Sequence, residues 1–233
     1  KGIASKLGVP FMIPNHREVF DDGIGNRYTI LLFDAFKLRG ANILGTLKTD
    51  NYIKEETFTF DDDFFALDKS KNHSLWGFFQ TEKYFKHIED EIRKDFKFKR
   101  EIYFPCKDLV ESVDNPIALH IRRGDFVHNS GNHPPLGLDY YEKALKEFDV
   151  DRNVVIFSDD TEWCKEQELF ESDRFIVAEN NDQFHDLCLM SMCDDFIIAN
   201  SSFSWWGAWL ANKGKVIAPK KWFGPNLNHD TKD

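Results

Sequence analysis

From residue 115 onward, short runs rich in β-branched and aromatic residues alternate with stretches of helical periodicity. This alternation constrains the fold more than any other feature of the chain. Strands joined through helices return parallel to one another, so such a pattern builds βαβ units with helices covering the sheet. The runs Ile117–Arg122, Asn153–Ser158, Arg174–Ala178, Asp195–Ala199 and Lys215–Pro219 read as strands, apolar enough to be covered on both faces. Between them the spacing predicts a helix with Asp139 as N-cap that buries Tyr141, Ala144, Leu145 and Phe148. A second is expected over Asp160–Glu168, a third over Asp182–Cys193, and a fourth over Phe203–Asn212 with Gly214 as a left-handed stop. In a doubly wound parallel sheet, ligands sit at the carboxyl edge. The segments to inspect are therefore Arg123-Gly124-Asp125, Asp159-Asp160, Glu179-Asn180-Asn181-Asp182, Asn200 to Ser204, and Lys220-Lys221-Trp222, all of them polar or charged.

The first 112 residues are less regular. Ile3, Ala4 and Leu7 read as the tail of an amphipathic helix closed by Gly8, with strands at Val9–Ile13, Thr57–Phe60 and Leu75–Phe79. Tyr84, His87, Ile88 and Ile92 predict a helix over Thr81–Phe96. The expected organisation is a smaller α/β domain over 1–112 and a Rossmann-like domain over 113–233, which suits a 233-residue chain at roughly 100–200 residues per domain. With 30 basic against 40 acidic residues the net charge is −10, which argues against a nucleic-acid backbone as partner, so any phosphate must be met locally. No apolar run approaches the ~20 residues of a membrane-spanning helix. Cys106, Cys164, Cys188 and Cys193 lack metal-ligand spacing and read as reduced, buried thiols.

Three stretches carry chemistry. In Ala118-Leu119-His120-Ile121-Arg122-Arg123-Gly124-Asp125, strand alternation sets His120 and Arg122 apart from Ile117, Leu119 and Ile121. Arg122 and Arg123 arrive where the strand opens, and guanidinium forks there suit a diphosphate; a strand-end ion pair with Asp125 is the plainer alternative. In Asn200 to Asn212, Ser201 and Ser202 stand where a strand meets a helix, whose free N–H groups and positive dipole end favour an anion, although serine is also an ordinary N-cap. Trp205, Trp206 and Trp209 read as packing residues. Asp186, on the helix before that turn, is suited to the N1–H and amine of a guanine edge, or is an exposed helix position. Asp159 and Asp160 read as a ligand pair or a helix cap. Asp61-Asp62-Asp63 fits the DxD pattern of metal-dependent sugar transferases, or is a solvated charge run.

Taken together, His120 to Phe126 (HIRRGDF), Val155 to Cys164 (VIFSDDTEWC), Asp186 to Leu210 (DLCLMSMCDDFIIANSSFSWWGAWL), Pro219 to Pro225 (PKKWFGP) and Trp76 to Phe85 (WGFFQTEKYF) resemble glycosyltransferase family 11, the α-1,2-fucosyltransferases. The resemblance implies a GT-B-like α/β fold of two Rossmann-type domains. It implies transfer of fucose from GDP-fucose to the 2-hydroxyl of a galactose-terminated glycan, with inversion and with no metal or other cofactor. It makes Arg122 the contact for the β-phosphate, with Arg123, Ser201 and Ser202 assisting. His120 and Asp186 would hold the guanosine, and Asp159 and Asn200 belong to the same donor site. For the base the first choice is Asp125 and the second His128; alternatively Asp125 braces the arginines.

Two other readings stand beside this one: a metal-dependent GT-A-type transferase built on Asp61 to Asp63, and a non-catalytic carbohydrate-binding module whose aromatic residues stack on sugars. Lys1 to Pro10 is similar to the end of the family's opening helix, so the first domain is expected to lack its first βα unit and the chain to show little activity. The expected compartment is the cytoplasm, peripheral to the inner membrane where the acceptor is lipid-linked, or the Golgi lumen for a eukaryotic protein.

Overall fold

The computed structural model describes residues 1–13, 19–21, 27–39, 42, 43 and 49–227. In chain order the elements of the first part are α1 (Gly2–Leu7), β1 (Met12–Ile13), β2 (Val19–Asp21), β3 (Arg27–Thr29), α2 (Leu32–Ala35), β4 (Asn42–Ile43), β5 (Asn51–Lys54), β6 (His73–Trp76) and α3 (Glu89–Asp95). The second part holds α4 (Arg100–Val110), β7 (Ile117–Ile121), α5 (Gly124–His128), α6 (Leu138–Leu145), β8 (Val154–Ser158), α7 (Thr161–Lys165), β9 (Phe175–Val177), α8 (Gln183–Met192), β10 (Asp195–Ile197), α9 (Ser202–Ala211) and β11 (Val216–Ile217). Two compact units result, Lys1–Lys99 and Arg100–Asn228. The division falls ahead of the sequence boundary at 112 because α4, unread in the sequence, packs against α8. The thiol of Cys106 on α4 donates to the carbonyl of His185 on α8 at 3.4 Å.

The second unit is organised by a five-stranded sheet in the order β11-β10-β7-β8-β9, with every neighbouring pair parallel. The chain starts at the central strand β7, moves outward through β8 and β9, then crosses back to β10 and β11. The reversal falls between β7 and β10, and in open α/β sheets the crevice at such a reversal is where ligands bind. All five residues of β7 are buried, as a sheet covered on both faces requires. Ile117, Leu119, Ile121, Val154, Ile156 and Ile197 form the core with Tyr141, Ala144 and Leu145 of α6, Cys164 of α7 and Phe170. Each such aliphatic side chain contributes about 1.5–3 kcal/mol on burial. Elsewhere α8 and α9 approach closely: a Cβ on Gly207 would lie 2.3 Å from the sulfur of Met190.

All five strands expected in this unit are present, with adjustments at the helix ends. Asp160, Asp182 and Ser201 cap α7, α8 and α9 with their side chains. The cap of α6, however, is Gly137, leaving Asp139 in the first turn. The expected helix 160–168 breaks into α7 and a 3-10 turn, Glu168–Phe170. Helix α9 stops at Asn212, which takes the left-handed conformation (φ 53°) assigned in the sequence to Gly214. Gly214 is also left-handed (φ 75°), in the turn into β11, where a Cβ would lie 1.7 Å from the carbonyl oxygen of Asp194. All four cysteines are free and buried.

In the first unit β5 and β6 pair in parallel, as do β1 and β4, while β2 and β3 are antiparallel. Helix α1 ends at Gly8 (φ 69°) as the sequence indicates, and Ile3 and Leu7 join Phe64 and Tyr84 in a small core. The Tyr84 ring stands edge-on to Phe64 and Phe79 at 5.9 and 5.2 Å. The expected strand Thr57–Phe60 is irregular; the strand is the more polar Asn51–Lys54, selected by pairing with His73–Trp76. The expected strand at Val9–Ile13 shrinks to Met12–Ile13, and the one expected at Leu75–Phe79 is shifted toward the N-terminus, to His73–Trp76. The expected helix 81–96 is two 3-10 turns, Glu82–Tyr84 and Lys86–Ile88, leading into α3. Among the described residues no helix is long and apolar enough to cross a membrane.

Candidate functional site at the carboxyl edge of the second unit

Strand β7 delivers Arg122 and Arg123 to the carboxyl edge, and three carboxylates meet them there. Arg122 pairs through Nη2 with Asp125 at 2.6 Å and through Nη1 with Asp159 at 3.1 Å. Its guanidinium also lies 5.5 Å from the Phe126 ring centre, and about a third of the side chain remains exposed. Arg123 points differently. Its guanidinium lies 3.9 Å from the centre of a Trp163 ring and donates through Nε to Asp160 at 3.1 Å, while its backbone N–H donates to Asp159 at 2.9 Å. Asp160 also accepts from the N–H of Trp163 at the start of α7. Thus Asp160 is a helix cap that anchors Arg123, and Asp159 holds the turn. A Cβ on Gly124 would lie 2.5 Å from the Asp159 carboxylate, so a side chain there would push that carboxylate away from Arg122.

Across the β7/β10 reversal, Ser201 accepts from the N–H of Phe203 at 3.3 Å as the cap of α9, and Ser202 is exposed at its first turn. Ser204 is buried and donates back to the carbonyls of Ala199 and Ser201. His120 is buried, with its ring 5.4 Å from that of Phe203, and Nδ1 has no hydrogen-bond partner among the described residues. Burial pushes its pKa down to about 3, Arg122 acting in the same direction and Asp159 opposing, so at neutral pH the imidazole is uncharged. It offers a neutral donor or acceptor beside the arginines without adding charge.

Asn200 ties together two loops at the rim. Its Nδ2 donates to the carbonyls of Pro134 at 3.1 Å and Trp222 at 3.0 Å, while its buried Oδ1 lacks a partner among the described residues. The same loops are joined by Gly224 N–H to Asn132 at 2.7 Å and Asn226 N–H to Gly131 at 2.9 Å.

The predicted site residues therefore fall into groups. Arg122, Asp125 and Asp159 form one ionic cluster and Arg123 pairs separately with Asp160, while His120 lies against Phe203 in the first turn of α9, the turn that Ser201 caps. Asp186 is half-buried on α8, where it accepts from Asn181 at 2.9 Å, and burial raises its pKa. His128 is exposed at the end of α5, and its side chain makes no hydrogen bond or ion pair among the described residues. His133 was missed. Its ring stacks on Phe126 at 5.0 Å and its Nδ1 is buried without a hydrogen-bond partner among the described residues. Burial lowers its pKa, Asp125 opposes and Arg122 reinforces the shift. Its place before Pro134 in a loop gave no periodic signal. In the first unit the carboxylates of Asp61, Asp62 and Asp63 lie within 4.8 Å of one another and are exposed, and Asp61 caps the following turn by accepting from Asp63 N–H at 3.0 Å.

The fold compares with solved fucosyltransferase structures. POFUT1 in complex with GDP matches with a TM-score of 0.55 at 10% identity, covering 94% of this chain and 92% of that one. NodZ α-1,6-fucosyltransferase soaked with GDP-fucose matches with a TM-score of 0.54 at 13% identity, covering 89% and 84%. At such identities the likeness speaks for fold alone, and it defines a GT-B-like α/β protein. By sequence, the family model described as Glycosyl transferase family 11 matches residues 32–232. The O-antigen biosynthesis glycosyltransferase WbnK of Escherichia coli is 32% identical over 86% of this chain and 70% of its own length. An α-1,2-colitosyltransferase of Escherichia coli is 42% identical over 63% of this chain and 55% of its own. Galactoside α-(1,2)-fucosyltransferase 1 of Alouatta belzebul is 23% identical over 73% and 49%. The chain thus spans about half the length of the latter two. It belongs to glycosyltransferase family 11.

Proposed function

We propose that the chain transfers L-fucose from GDP-fucose to the 2-hydroxyl of a terminal galactoside, with inversion and without a metal. The observation that carries this reading is Arg122, placed at the carboxyl end of the central strand beside the strand-order reversal and the capped start of α9. Fixed positive charge and N–H donors at that point stabilise the diphosphate as it leaves, which is the largest need of the transition state. The acceptor oxygen bonds to the anomeric carbon as the bond to the β-phosphate oxygen breaks, GDP carries off the electron pair, and a base takes the hydroxyl proton.

In this scheme the diphosphate replaces Asp125 at Nη2 of Arg122, and the released carboxylate becomes the base. His128 is the second choice for that role. His120 and Asp186 hold the guanosine, Ser201 and Ser202 assist at the phosphates, and Arg123 and Asp159 set the position of Arg122. A colitosyl donor is a second reading, supported by the 42% identity to the colitosyltransferase; comparison of the two donors as substrates decides between them.

Asp125→Asn tests the assignment. GDP affinity by calorimetry should be unchanged or higher, since a competitor for Arg122 is gone, while transfer to a galactoside falls about 100-fold or more. Weaker GDP binding would instead make Asp125 a brace. Transfer undiminished by excess EDTA is expected, and its loss there would overturn the metal-free mechanism.

A further inference from the structure

Strand β9 ends at Val177, and the loop that follows leads into the first turn of α8 at the same carboxyl edge as Arg122. The loop is pinned on both sides of Asn181. Before it, Glu179 pairs with Lys165 of α7 at 2.5 Å, and Asn180 takes the left-handed conformation (φ 61°) that asparagine tolerates. After it, Asp182 caps α8 by accepting from the N–H groups of Phe184 and His185, both at 2.9 Å. Asn181 itself is exposed and takes no part in the cap. Its Nδ2 instead donates to Oδ1 of Asp186 at 2.9 Å.

That bond acts on a carboxylate whose charge is disfavoured by its surroundings. Burial raises the pKa of Asp186, the Asn181 amide lowers it, Asp182 raises it and His185 lowers it. Of the helices packed on α8, α4 brings Cys106 within electrostatic reach and α9 carries no titratable side chain. The amide can meet the carboxylate only through its NH2 end, since its own oxygen would be repelled. Oδ2 of Asp186 has no hydrogen-bond partner among the described residues and remains in contact with solvent. Each carboxylate oxygen has two lone pairs, so Oδ1 can accept from a ligand as well as from Asn181. One amide therefore fixes the plane of a carboxylate that still has acceptors to offer on both oxygens.

We infer that Asn181 is the positioning residue through which Asp186 tells guanine from a purine that lacks the exocyclic amine. Held in plane, the carboxylate accepts from N1–H and the amine together; free to rotate, it meets one at the expense of the other. The Asn181 bond also favours the ionised form, and protonation would turn one of the two acceptors into a donor. This inference rests on the reading of Asp186 as a guanosine contact. It goes further in placing part of the base selectivity on a residue that acts through Asp186.

Calorimetry across pH with GDP and with inosine diphosphate, which keeps N1–H but lacks the amine, tests it. Wild type should bind GDP about tenfold more tightly than inosine diphosphate. Asn181→Ala, a change at an exposed side chain, should lower GDP affinity about tenfold at neutral pH and shrink the preference to about twofold. GDP affinity is full above the raised pKa of Asp186 and is lost as pH falls through it; Asn181→Ala should move that loss to higher pH. Unchanged affinities in Asn181→Ala, or equal losses for the two nucleotides with the pH profile unmoved, overturn the inference; the second result would make Asn181 a brace of the loop alone. Asp186→Asn binding GDP as tightly as wild type would instead overturn the guanosine reading on which it stands.

Discussion

Arg122→Ala should lower GDP affinity by about 100-fold, close to 3 kcal/mol. Two effects add. The change removes a forked cation from the phosphates, and it leaves Asp125 and Asp159, which lie within 2.6 and 3.1 Å of that cation, as uncompensated negative charge facing the ligand. Lysine restores a point charge but not the fork, so Arg122→Lys is expected to recover only part of the loss. Arg123→Ala makes the contrast. With its guanidinium stacked on Trp163 and bound to Asp160, Arg123 supports the turn, so its removal should cost about 1 kcal/mol of stability and less than tenfold in GDP affinity. Calorimetry on the three variants, with urea unfolding alongside, checks the division of labour; equal losses of affinity at the two arginines would refute it.

Asn200→Ala should destabilise the chain by about 2–4 kcal/mol, because the carbonyls of Pro134 and Trp222 lose their shared donor in a half-buried setting. For a chain of this size that lowers the melting temperature by roughly 5–15 °C. The two acceptors face the same end of the amide and so fix that end as the NH2 group. Both rim loops depend on this group, so GDP affinity should fall as well. A melting temperature within a degree of wild type would show that the backbone bonds from Gly224 and Asn226 hold the rim alone.

The second unit was legible because its strands are continuous apolar runs covered on both faces, and a run such as Ile117 to Ile121 has no other way to bury itself. Arg122 was legible for the same reason: it is the first charged residue past a strand end. The first unit was less so, since beyond Ile3 and Leu7 of α1 its core is supplied by the turns that carry Phe64 and Tyr84. Thr57–Phe60 has the composition of a strand, yet Phe60 packs 5.0 Å from Tyr84 while polar Asn51–Lys54 makes the ladder. Within the site, partners distant in sequence decided what local reading left open. Asp159 and Asp160 look alike until Arg122, Arg123 and α7 distinguish them. Asn200 stands in a carboxyl-edge segment, but its link to the rim loops shows only through Pro134 and Trp222, 66 and 22 residues away, which take its Nδ2. His133 carries no sequence pattern at all; only burial of a ring nitrogen without a partner among the described residues marks it.

The central claim is that GDP sits over the strand-order reversal between β7 and β10. Amide hydrogen exchange of the chain with and without saturating GDP, in excess EDTA, tests it most directly. Protection concentrated at residues 122–126 and 200–204 is the predicted result. GDP binding that leaves both segments unprotected, or that disappears with EDTA, would contradict it.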